Sequence, residues 1–288
     1  MKAAGRRYIM YGSCRDTFWI WNLADLHWMS RACAEGRIKK DIQTIRDDPF
    51  SFWLGGGDYC DFIGYSDKRF DPDAVAEWVS VKDLGELGQK GMREIAKLFA
   101  PIKDKCFGLL LGNHEKKYEL QNEQESLHGW LCTELGVANL GYSALFDVVF
   151  ARAARTKRPR LVDPLPRRAD VTSRVGFRLF AHHGAGYAQT PGGKLNRLVQ
   201  FMQSFDADIY FAGHVHDRVA RSEPAIGADR YCKELTQRLR LGTIAGSYLK
   251  TYEQGVTTYG EQRGYRPTSL GAAVVQVCPE TRELKAEV

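Results

Sequence analysis

Five short apolar runs in the sequence each stop abruptly at Asp, Asn, His or Gly. The runs are TFWIWNLADLH (17–27), FSFWLGGGDYCD (50–61), CFGLLLGNHE (106–115), RLFAHHG (178–184) and DIYFAGHVH (208–216). Short aromatic and β-branched runs that end in polar residues are typical of strands buried on both faces in a layered α/β sheet. Ligands bind outside the carboxyl ends of such strands, so the polar clusters predict where a functional site lies.

Helical patterns separate these runs, and more strand-like segments follow them. The helical stretches lie at about 28–47, 73–100, 123–135 and 192–205. Asp73 and Pro101 are a start and a stop signal for the second of these helices. RLRLGTIAGSYL (238–249) and GAAVVQVCPE (271–280) predict further strands. We therefore expect an α/β fold in which two packed, mostly β sheets are flanked by helices, an αββα sandwich.

The length of 288 residues suits one large domain, and no repeat or low-complexity linker divides it. We expect a single domain over 1–288, with a basic, proline-containing loop at 152–170 and a C-terminal extension of strands and loops at 240–288. No apolar run approaches the roughly 18–20 residues of a membrane span, and the N-terminus lacks a secretory pattern. The seven cysteines occur singly, without C-x-x-C pairs. These features predict a cytoplasmic protein without a disulfide framework.

The positive charge of the chain is concentrated in one segment. Lys and Arg total 41 against 35 Asp and Glu, a net charge of +6. Residues 152–168 hold seven basic residues and one acidic residue, which accounts for the whole excess. This basic loop is either a solvated surface loop or a docking site for nucleic acid or another polyanion. The loop precedes the strand-like run at 175–182, whereas His183 follows that run. We therefore expect the loop to lie about 20 Å from the polar residues at the strand ends.

The polar clusters at the strand ends contain six of the seven histidines, and only His128 lies elsewhere. The clusters consist of Asp25, His27, Asp58, Asp61, Asn113, His114, Glu115, His182, His183, His214 and His216. Carboxylates, imidazoles and an amide suit Mn, Fe, Zn, Co or Ni and argue against calcium or a thiolate site. The D-x-H and H-x-H spacings place two donors on one side of an extended chain. The donors are too many for one ion, so we expect a dinuclear centre.

The blocks D-L-H, G-D-Y-C-D, G-N-H-E, H-G and G-H-V-H, in this order over residues 25–216, resemble the calcineurin-like metallophosphoesterase superfamily. One block alone is a weak signal, but the complete ordered set is specific. The resemblance implies two divalent metal ions, with manganese expected to activate the enzyme in vitro, and hydrolysis of phosphate esters by a metal-bridging hydroxide. G-Y-x-P-x-x-L-G at 264–271 more weakly resembles phage and prophage chains.

The resemblance also implies metal ligands. One metal ion would be held by Asp25, His27 and His216. The other would be held by Asn113, His183 and His214. Asp58 would bridge the two ions. His183 is preferred over His182 because Gly184 follows it, as in the H-G block of the family, although forms that read H-H-P align with His182.

Two further residues would act in catalysis. His114 would protonate the leaving oxygen or stabilise the phosphoryl oxygens, and Asp61 would hydrogen-bond His114 and fix its orientation. Lys116 and the second histidine, His182, are weaker candidates for substrate binding. Each has an ordinary structural alternative, a solvated helix start for Lys116 and core packing for His182.

The sequence departs from one branch of this superfamily. The serine/threonine phosphoprotein phosphatases carry Arg-Gly after G-D-x-x-D and Arg before G-N-H-E, where this chain has Phe62-Ile63 and Leu111. We therefore expect phosphodiesters, including DNA, RNA and nucleotide diesters, rather than phosphomonoesters. A phosphomonoesterase acting on a small molecule or a protein is the alternative. A non-catalytic binding module on the same fold is a further alternative, against which the complete ligand set argues.

Overall fold

The computed structural model describes residues 1–64, 67, 70–122, 126–165, 171–186, 188, 190–229 and 231–287. In chain order the strands are β1 (Lys2–Tyr11), β2 (Phe18–Leu23), β3 (Ser51–Gly55), β4 (Cys106–Leu110), β5 (Asn139–Gly141), β6 (Ser143–Arg152), β7 (Arg160–Val162), β8 (Ser173–His182), β9 (Ile209–Ala212), β10 (Val219–Ala228), β11 (Leu235–Ile244), β12 (Ala273–Cys278) and β13 (Glu283–Glu287). The α-helices are α1 (Glu35–Asp47), α2 (Leu87–Phe99), α3 (Asn113–Gln121), α4 (Leu127–Leu135), α5 (Pro191–Ser204) and α6 (Tyr259–Gln262). None of the helices in these ranges is long and apolar enough to cross a membrane.

The strands form two sheets, one in the order β10-β11-β9-β8-β6-β1-β7 and the other in the order β13-β12-β2-β3-β4-β5. The alternation along β3 shows how they pack. Phe52 and Leu54 belong to the apolar cluster between the sheets, whereas Trp53 points the other way and contacts Phe99 of α2. Because successive side chains of a strand point to opposite faces, a strand covered on both sides is apolar throughout. The sheets with helices outside them confirm the predicted αββα sandwich.

The directions of the strands gather the polar clusters at one edge. β2, β3 and β4 are parallel neighbours in one sheet, and β8 and β9 are parallel neighbours in the other. All five are the strands predicted from the apolar runs, so their carboxyl ends carry the polar residues. The sequence did not predict β1, β10 or β13.

The basic loop connects β6 to β8, two antiparallel strands, at the ends that lie away from the histidines. β6 and β8 pair with Arg152 opposite Ser173 and Ser143 opposite His182, as the sequence predicted for this hairpin. At about 3.3 Å per residue, the length of β8 separates the two ends by about 30 Å. Within the loop, β7 pairs with β1, an element that the sequence did not indicate. Residues 166–170 of the predicted loop lie outside the described residues.

Three helix predictions had wrong boundaries. The helix expected over 28–47 begins only at Glu35, because a turn with positive φ at Met29 precedes it. The helix expected from residue 73 begins as a 3₁₀ turn at Val81 and becomes α-helical at Leu87. Its start signal is Ser80, whose hydroxyl accepts from the amide of Asp83, rather than Asp73. The helix expected over 123–135 begins at Leu127, and residues 123–125 lie outside the described residues. The helix α3 precedes it and begins at Asn113, within the run 106–115 and three residues before the helix start considered at Lys116.

Candidate metal centre

Each group of predicted site residues follows the end of a strand. Asp25 and His27 follow β2, and Asp58 and Asp61 follow β3. Asn113 and His114 open α3, and two residues separate α3 from the end of β4. His183 follows β8 directly, and His214 and His216 follow β9. The centre is thus assembled from both sheets.

Hydrogen bonds between the sheets hold these chain ends together. The side-chain amide of Asn22 donates to the carbonyl oxygen of Ala212 (2.9 Å), and the backbone amide of His214 donates to Oδ2 of Asp25 (2.8 Å). Nδ1 of His183 donates to the carbonyl oxygen of Gly56 (2.8 Å). At Gly57, whose φ is 93°, a β-carbon would lie only 2.7 Å from that same imidazole nitrogen. The two edges therefore approach too closely for a larger residue at this position.

The donor atoms lie close enough together to bind metal ions. Among the described residues, three groups have oxygen or nitrogen atoms all within 4.8 Å of one another: Asp25, His27 and His216; His27, Asp58 and His114; and Asp58, His183 and His214. The groups share His27 and Asp58, so they form one continuous cluster. Asn113 extends this cluster, since its amide oxygen lies 2.9 Å from Nε2 of His183.

The backbone at the centre is not extended, contrary to the interpretation of the D-x-H and H-x-H spacings. Five of the nine non-glycine residues with positive φ in the described ranges belong to the site: Asp25, His27, Asp58, His214 and His216. Asp and His tolerate this left-handed region better than most residues, and such strain concentrates at functional sites. Backbone bonds hold the turns, for example from the amide of Asp25 to the carbonyl oxygen of Gly57 (2.9 Å). The left-handed backbone conformation at these residues therefore directs their side chains toward one another.

Oxygen and nitrogen atoms that could bind a metal ion converge in the cluster. The amide oxygen of Asn113 faces Oδ2 of Asp58 and ring nitrogens of His183 and His214. Nε2 of His27 lies 3.2 Å from Nε2 of His216, which in turn lies 3.4 Å from the buried Oδ1 of Asp25. Donor atoms that converge in this way are what a set of metal ligands requires. The residues present therefore fit divalent cations with mixed nitrogen and oxygen ligands.

The electrostatics of the cluster agree with this fit. Burial raises the pKa of the Asp58 carboxyl, but the His183, His114 and His27 imidazoles hold it well below its usual value. Burial lowers the pKa of His183, yet the Asp58 and Asp25 carboxylates raise it to about 10. Nε2 of His183 lies 3.3 Å from Oδ2 of Asp58. The site stabilises buried carboxylates through adjacent positive charge, which a bound cation supplies directly.

Asp61 holds His114 differently from the prediction. The backbone carbonyl oxygen of Asp61 accepts from Nδ1 of His114 (2.5 Å), whereas its carboxylate lies 3.6 Å from that nitrogen. The carboxylate hydrogen-bonds Nδ1 of His27 instead (3.0 Å). Because Asp61 sits between the two imidazoles, one residue orients both.

The adjacent histidines point in different directions, as expected at a strand end. His183 is fully buried within the cluster, while His182 stacks on Phe201 of α5 with ring centroids 4.8 Å apart. Burial and the neighbouring His183 lower the pKa of His182 to about 4. His182 is absent from the three donor groups formed by the described residues. Lys116 is exposed on α3, beyond the donors.

Glu115 is a supporting residue to which the sequence analysis assigned no role. Its fully buried carboxylate accepts from the backbone amides of Asp58 (3.0 Å), Tyr59 (2.6 Å) and Gly112 (3.0 Å). It thereby ties the turn after β3 to the start of α3. A glutamate at the third position of a helix commonly bonds the capping amide, and this was the available signal. Burial and the Asp58 charge raise the pKa of Glu115 to about 7.

We predict that Glu115→Gln lowers the free energy of unfolding by about 1–3 kcal/mol, because one amide group would then face backbone N–H donors. Urea unfolding of the metal-free protein measures this change. Glu134→Gln, at an exposed position of α4, is the control and should change it by less than about 0.5 kcal/mol. Equal effects of the two substitutions would contradict the role of Glu115.

The chain is distantly similar to two solved structures. A double mutant of Vps29 from Entamoeba histolytica is 10% identical, with 94% of this chain and 97% of that chain covered and a TM-score of 0.37. NAD nucleotidase (NadN) from Haemophilus influenzae is 9% identical, with 95% of this chain and 49% of that chain covered and a TM-score of 0.38. At these TM-scores neither similarity carries an argument about activity. Among curated protein sequences, none matches the chain.

A family match covers the part of the chain that builds the centre. The sequence profile of the calcineurin-like phosphoesterases matches residues 18–218, well over half of the 288 residues. This range begins at the first residue of β2 and ends just beyond His216, so it contains every candidate ligand. The chain that brings these donors together between its two sheets therefore belongs to the calcineurin-like phosphoesterase family.

Proposed function

We propose that the protein is a dinuclear metal phosphoesterase that hydrolyses phosphodiester bonds, including those of nucleic acids or nucleotides. The family indicates a hydrolase that acts on phosphate esters with divalent metals. The observation that carries the dinuclear proposal is the chain of three donor groups that share His27 and Asp58. Asp25, His27 and His216 would hold one ion, Asn113, His183 and His214 the other, and Asp58 would contact both.

The protein side chains would divide the chemistry among them. Two bound divalent ions, for example manganese, would supply charge stabilisation of the phosphoryl oxygens and a hydroxide nucleophile at neutral pH. His114 would act in its imidazolium form, donating the proton of Nε2 to the departing alkoxide and becoming neutral, while the carbonyl oxygen of Asp61 continues to accept from its Nδ1. The Asp61 carboxylate would orient His27 through Nδ1, leaving Nε2 for the metal.

The surroundings of the centre favour diesters over monoesters. Phe62, which stands where the phosphoprotein phosphatases have an arginine, is buried and packs against Tyr118 with ring centroids 5.1 Å apart. This position therefore contributes to the core and offers no cation to a doubly charged phosphate monoester. Lys116 is the better of the two weaker substrate-binding candidates, because it is exposed to solvent whereas His182 is stacked on Phe201.

The proposal is tested with bis-p-nitrophenyl phosphate, p-nitrophenyl phosphate and DNA in the presence of Mn²⁺. We expect the wild-type protein to hydrolyse diesters in preference to the monoester, and Asp58→Asn to abolish turnover and weaken the binding of both ions. Metal content is measured by plasma mass spectrometry. Asp104→Asn, at an exposed site, is the control for the loss of a carboxylate. A wild type without bound metal and without activity, or an Asp58→Asn protein with both ions and more than about a tenth of the activity, would refute the proposal.

His114→Ala should behave differently from Asp58→Asn. We expect it to retain both ions and to lose about 10²–10⁴ in rate, the range for a positioned acid–base group. The rate loss should be smaller for a diester with a p-nitrophenolate leaving group, which needs little protonation, than for DNA. Loss of an ion from this variant would instead make His114 a ligand, as its proximity to His27 and Asp58 permits.

We further propose that the basic loop is a docking site for nucleic acid away from the centre. Arg155, Lys157, Arg158 and Arg160 are exposed and form no ion pair with another described residue. Arg152, in contrast, pairs with Glu280 at 3.4 Å. Arg167 and Arg168 lie outside the described residues. Unpaired cations on one edge are suited to the phosphates of a polymer that also reaches the centre.

Replacing Arg155, Lys157, Arg158 and Arg160 together by Gln tests this docking site. Affinity for a long duplex DNA should fall, and the slope of log affinity against log salt should flatten by about 0.9 for each lost phosphate contact. Hydrolysis of bis-p-nitrophenyl phosphate should be unchanged. The control replaces Lys39, Lys40, Lys97 and Lys103 by Gln, which removes equal charge from other exposed sites. The same loss of affinity in both proteins would show that only net charge matters.

A further inference from the structure

A loop with several tyrosines begins and ends beside the metal centre. Ser247 forms a bridge with Leu270, and the hydroxyl of Ser247 donates to the carbonyl oxygen of Asp25 (3.1 Å). The amide of Tyr248 donates to the same oxygen (2.9 Å). We call residues 251–268 the tyrosine loop. Because four residues span at most about 14 Å, Tyr252 lies within that distance of Tyr248.

Hydrogen bonds of three threonines tie distant parts of this loop together. The hydroxyl of Thr251 contacts that of Thr268 (3.3 Å), which in turn donates to the carbonyl oxygen of Leu249 (3.0 Å). The hydroxyl of Thr258 donates to the carbonyl oxygen of Thr251 and accepts from the amide of Glu261 (3.0 Å). These bonds tie the start, the middle and the end of the loop together, so its tyrosines can be replaced without removing its framework.

Two tyrosines of the loop are exposed although they are held in place. Tyr252 is 47% exposed and Tyr259 is 42% exposed, whereas Tyr248, just before the loop, is completely buried. The hydroxyl of Tyr252 donates to the carbonyl oxygen of Tyr265 (2.8 Å). Tyr259 makes an edge contact with Tyr265, with ring centroids 6.1 Å apart. Rings that are positioned but not buried are suited to stacking on a ligand.

The loop carries two arginines and two glutamates, Glu253 and Glu261, so its attraction for an anionic ligand depends on where the arginines lie and not on net charge. Arg263 and Arg266 are exposed, and within the described part of the chain neither guanidinium forms an ion pair. Arg263 lies over the ring of Tyr259, with its central carbon 5.3 Å from the ring centroid. Lys250 is paired with Glu253 and is thus already neutralised. A neutral polymer would leave both arginines without a partner.

We propose that the tyrosine loop binds single-stranded nucleic acid, with bases stacked on Tyr252 and Tyr259 and phosphates held by Arg263 and Arg266. The inference deepens the proposed phosphodiesterase function, because the loop would deliver the strand to the centre at which Asp25 lies. A single strand is required, since a duplex keeps the faces of its bases inside the stack.

The test measures binding to two labelled probes by fluorescence anisotropy, with metal-free protein so that no probe is cleaved. One probe is oligodeoxythymidylate, and the other is an abasic strand of the same length. The wild type should bind the strand with bases more tightly. Tyr252→Ala and Tyr259→Ala should each weaken that binding by about five- to 150-fold and leave the abasic probe unaffected.

Salt dependence separates stacking from charge. The two alanine variants should keep the salt slope of the wild type, whereas Arg263→Gln and Arg266→Gln should each flatten it by about 0.7. Tyr259→Phe should restore binding, because the ring is retained. Tyr231→Ala, which removes a 63%-exposed tyrosine at the β10–β11 turn, should bind both probes as the wild type does.

Equal affinity of the wild type for the two probes would overturn the inference, and so would an equal loss for both probes in the alanine variants. Hydrolysis of bis-p-nitrophenyl phosphate by the same proteins separates this failure from that of the proposed function. If the wild type hydrolyses the diester but binds both probes equally, only the inference about the tyrosine loop is refuted. If the wild type prefers the probe with bases but hydrolyses no diester, only the proposed phosphodiesterase function is refuted.

Discussion

Oxygen and ring nitrogen atoms from both sheets converge at the edge where the two sheets end, and the surrounding structure holds them there. Nε2 of His27 lies 3.2 Å from Nε2 of His216, and the amide oxygen of Asn113 lies 2.9 Å from Nε2 of His183. The hydrogen bond from the backbone of His214 to Asp25 joins one sheet to the other at this point. The geometry of the candidate centre therefore depends on contacts between the sheets.

The support for the centre extends beyond the segment that the family profile matches. Tyr248, in the C-terminal extension, donates through its amide to the carbonyl oxygen of Asp25 and through its hydroxyl to Asp41 of α1 (2.8 Å). Asp41 also accepts from Arg37 (2.9 Å). A buried network thus ties the left-handed turn at Asp25 to a helix on the outer face of its sheet. Fully satisfied networks of this kind make a backbone conformation rigid.

Under the proposed function, two surfaces would serve one polymer in different ways. The basic loop connects to β8 at the end far from His183, and Arg155, Lys157, Arg158 and Arg160 have no aromatic partner among the described residues, which suits a duplex or any other polyanion. The tyrosine loop lies beside Asp25 and combines rings with guanidinium groups, which suits exposed bases. The basic loop, far from the centre, would therefore attract the polymer, whereas the tyrosine loop, with its rings beside the centre, would position it.

The sequence alone determined the αββα sandwich and, apart from the choice between His182 and His183, the members of the candidate donor set. Strands covered on both faces must be apolar throughout, and parallel strands bring their carboxyl ends to one edge, so Asp25, Asp58 and His214 could be placed together from local patterns. The pattern could not show that α3 begins at Asn113, because a short apolar run followed by polar residues is compatible with either continuation.

Only the tertiary structure decided how the donors are aimed. The left-handed turns at Asp25 and His27, the choice of His183 over His182 as a member of the cluster, and the turn of the Asp61 carboxylate toward His27 depend on bonds between residues far apart in the chain. Glu115 acquires its role only because the amides of Asp58 and Tyr59 come within reach of its carboxylate. Spacing along the chain specifies which donors follow which strand, but the conformation of each turn is set by partners that folding brings from the other strands and the other sheet.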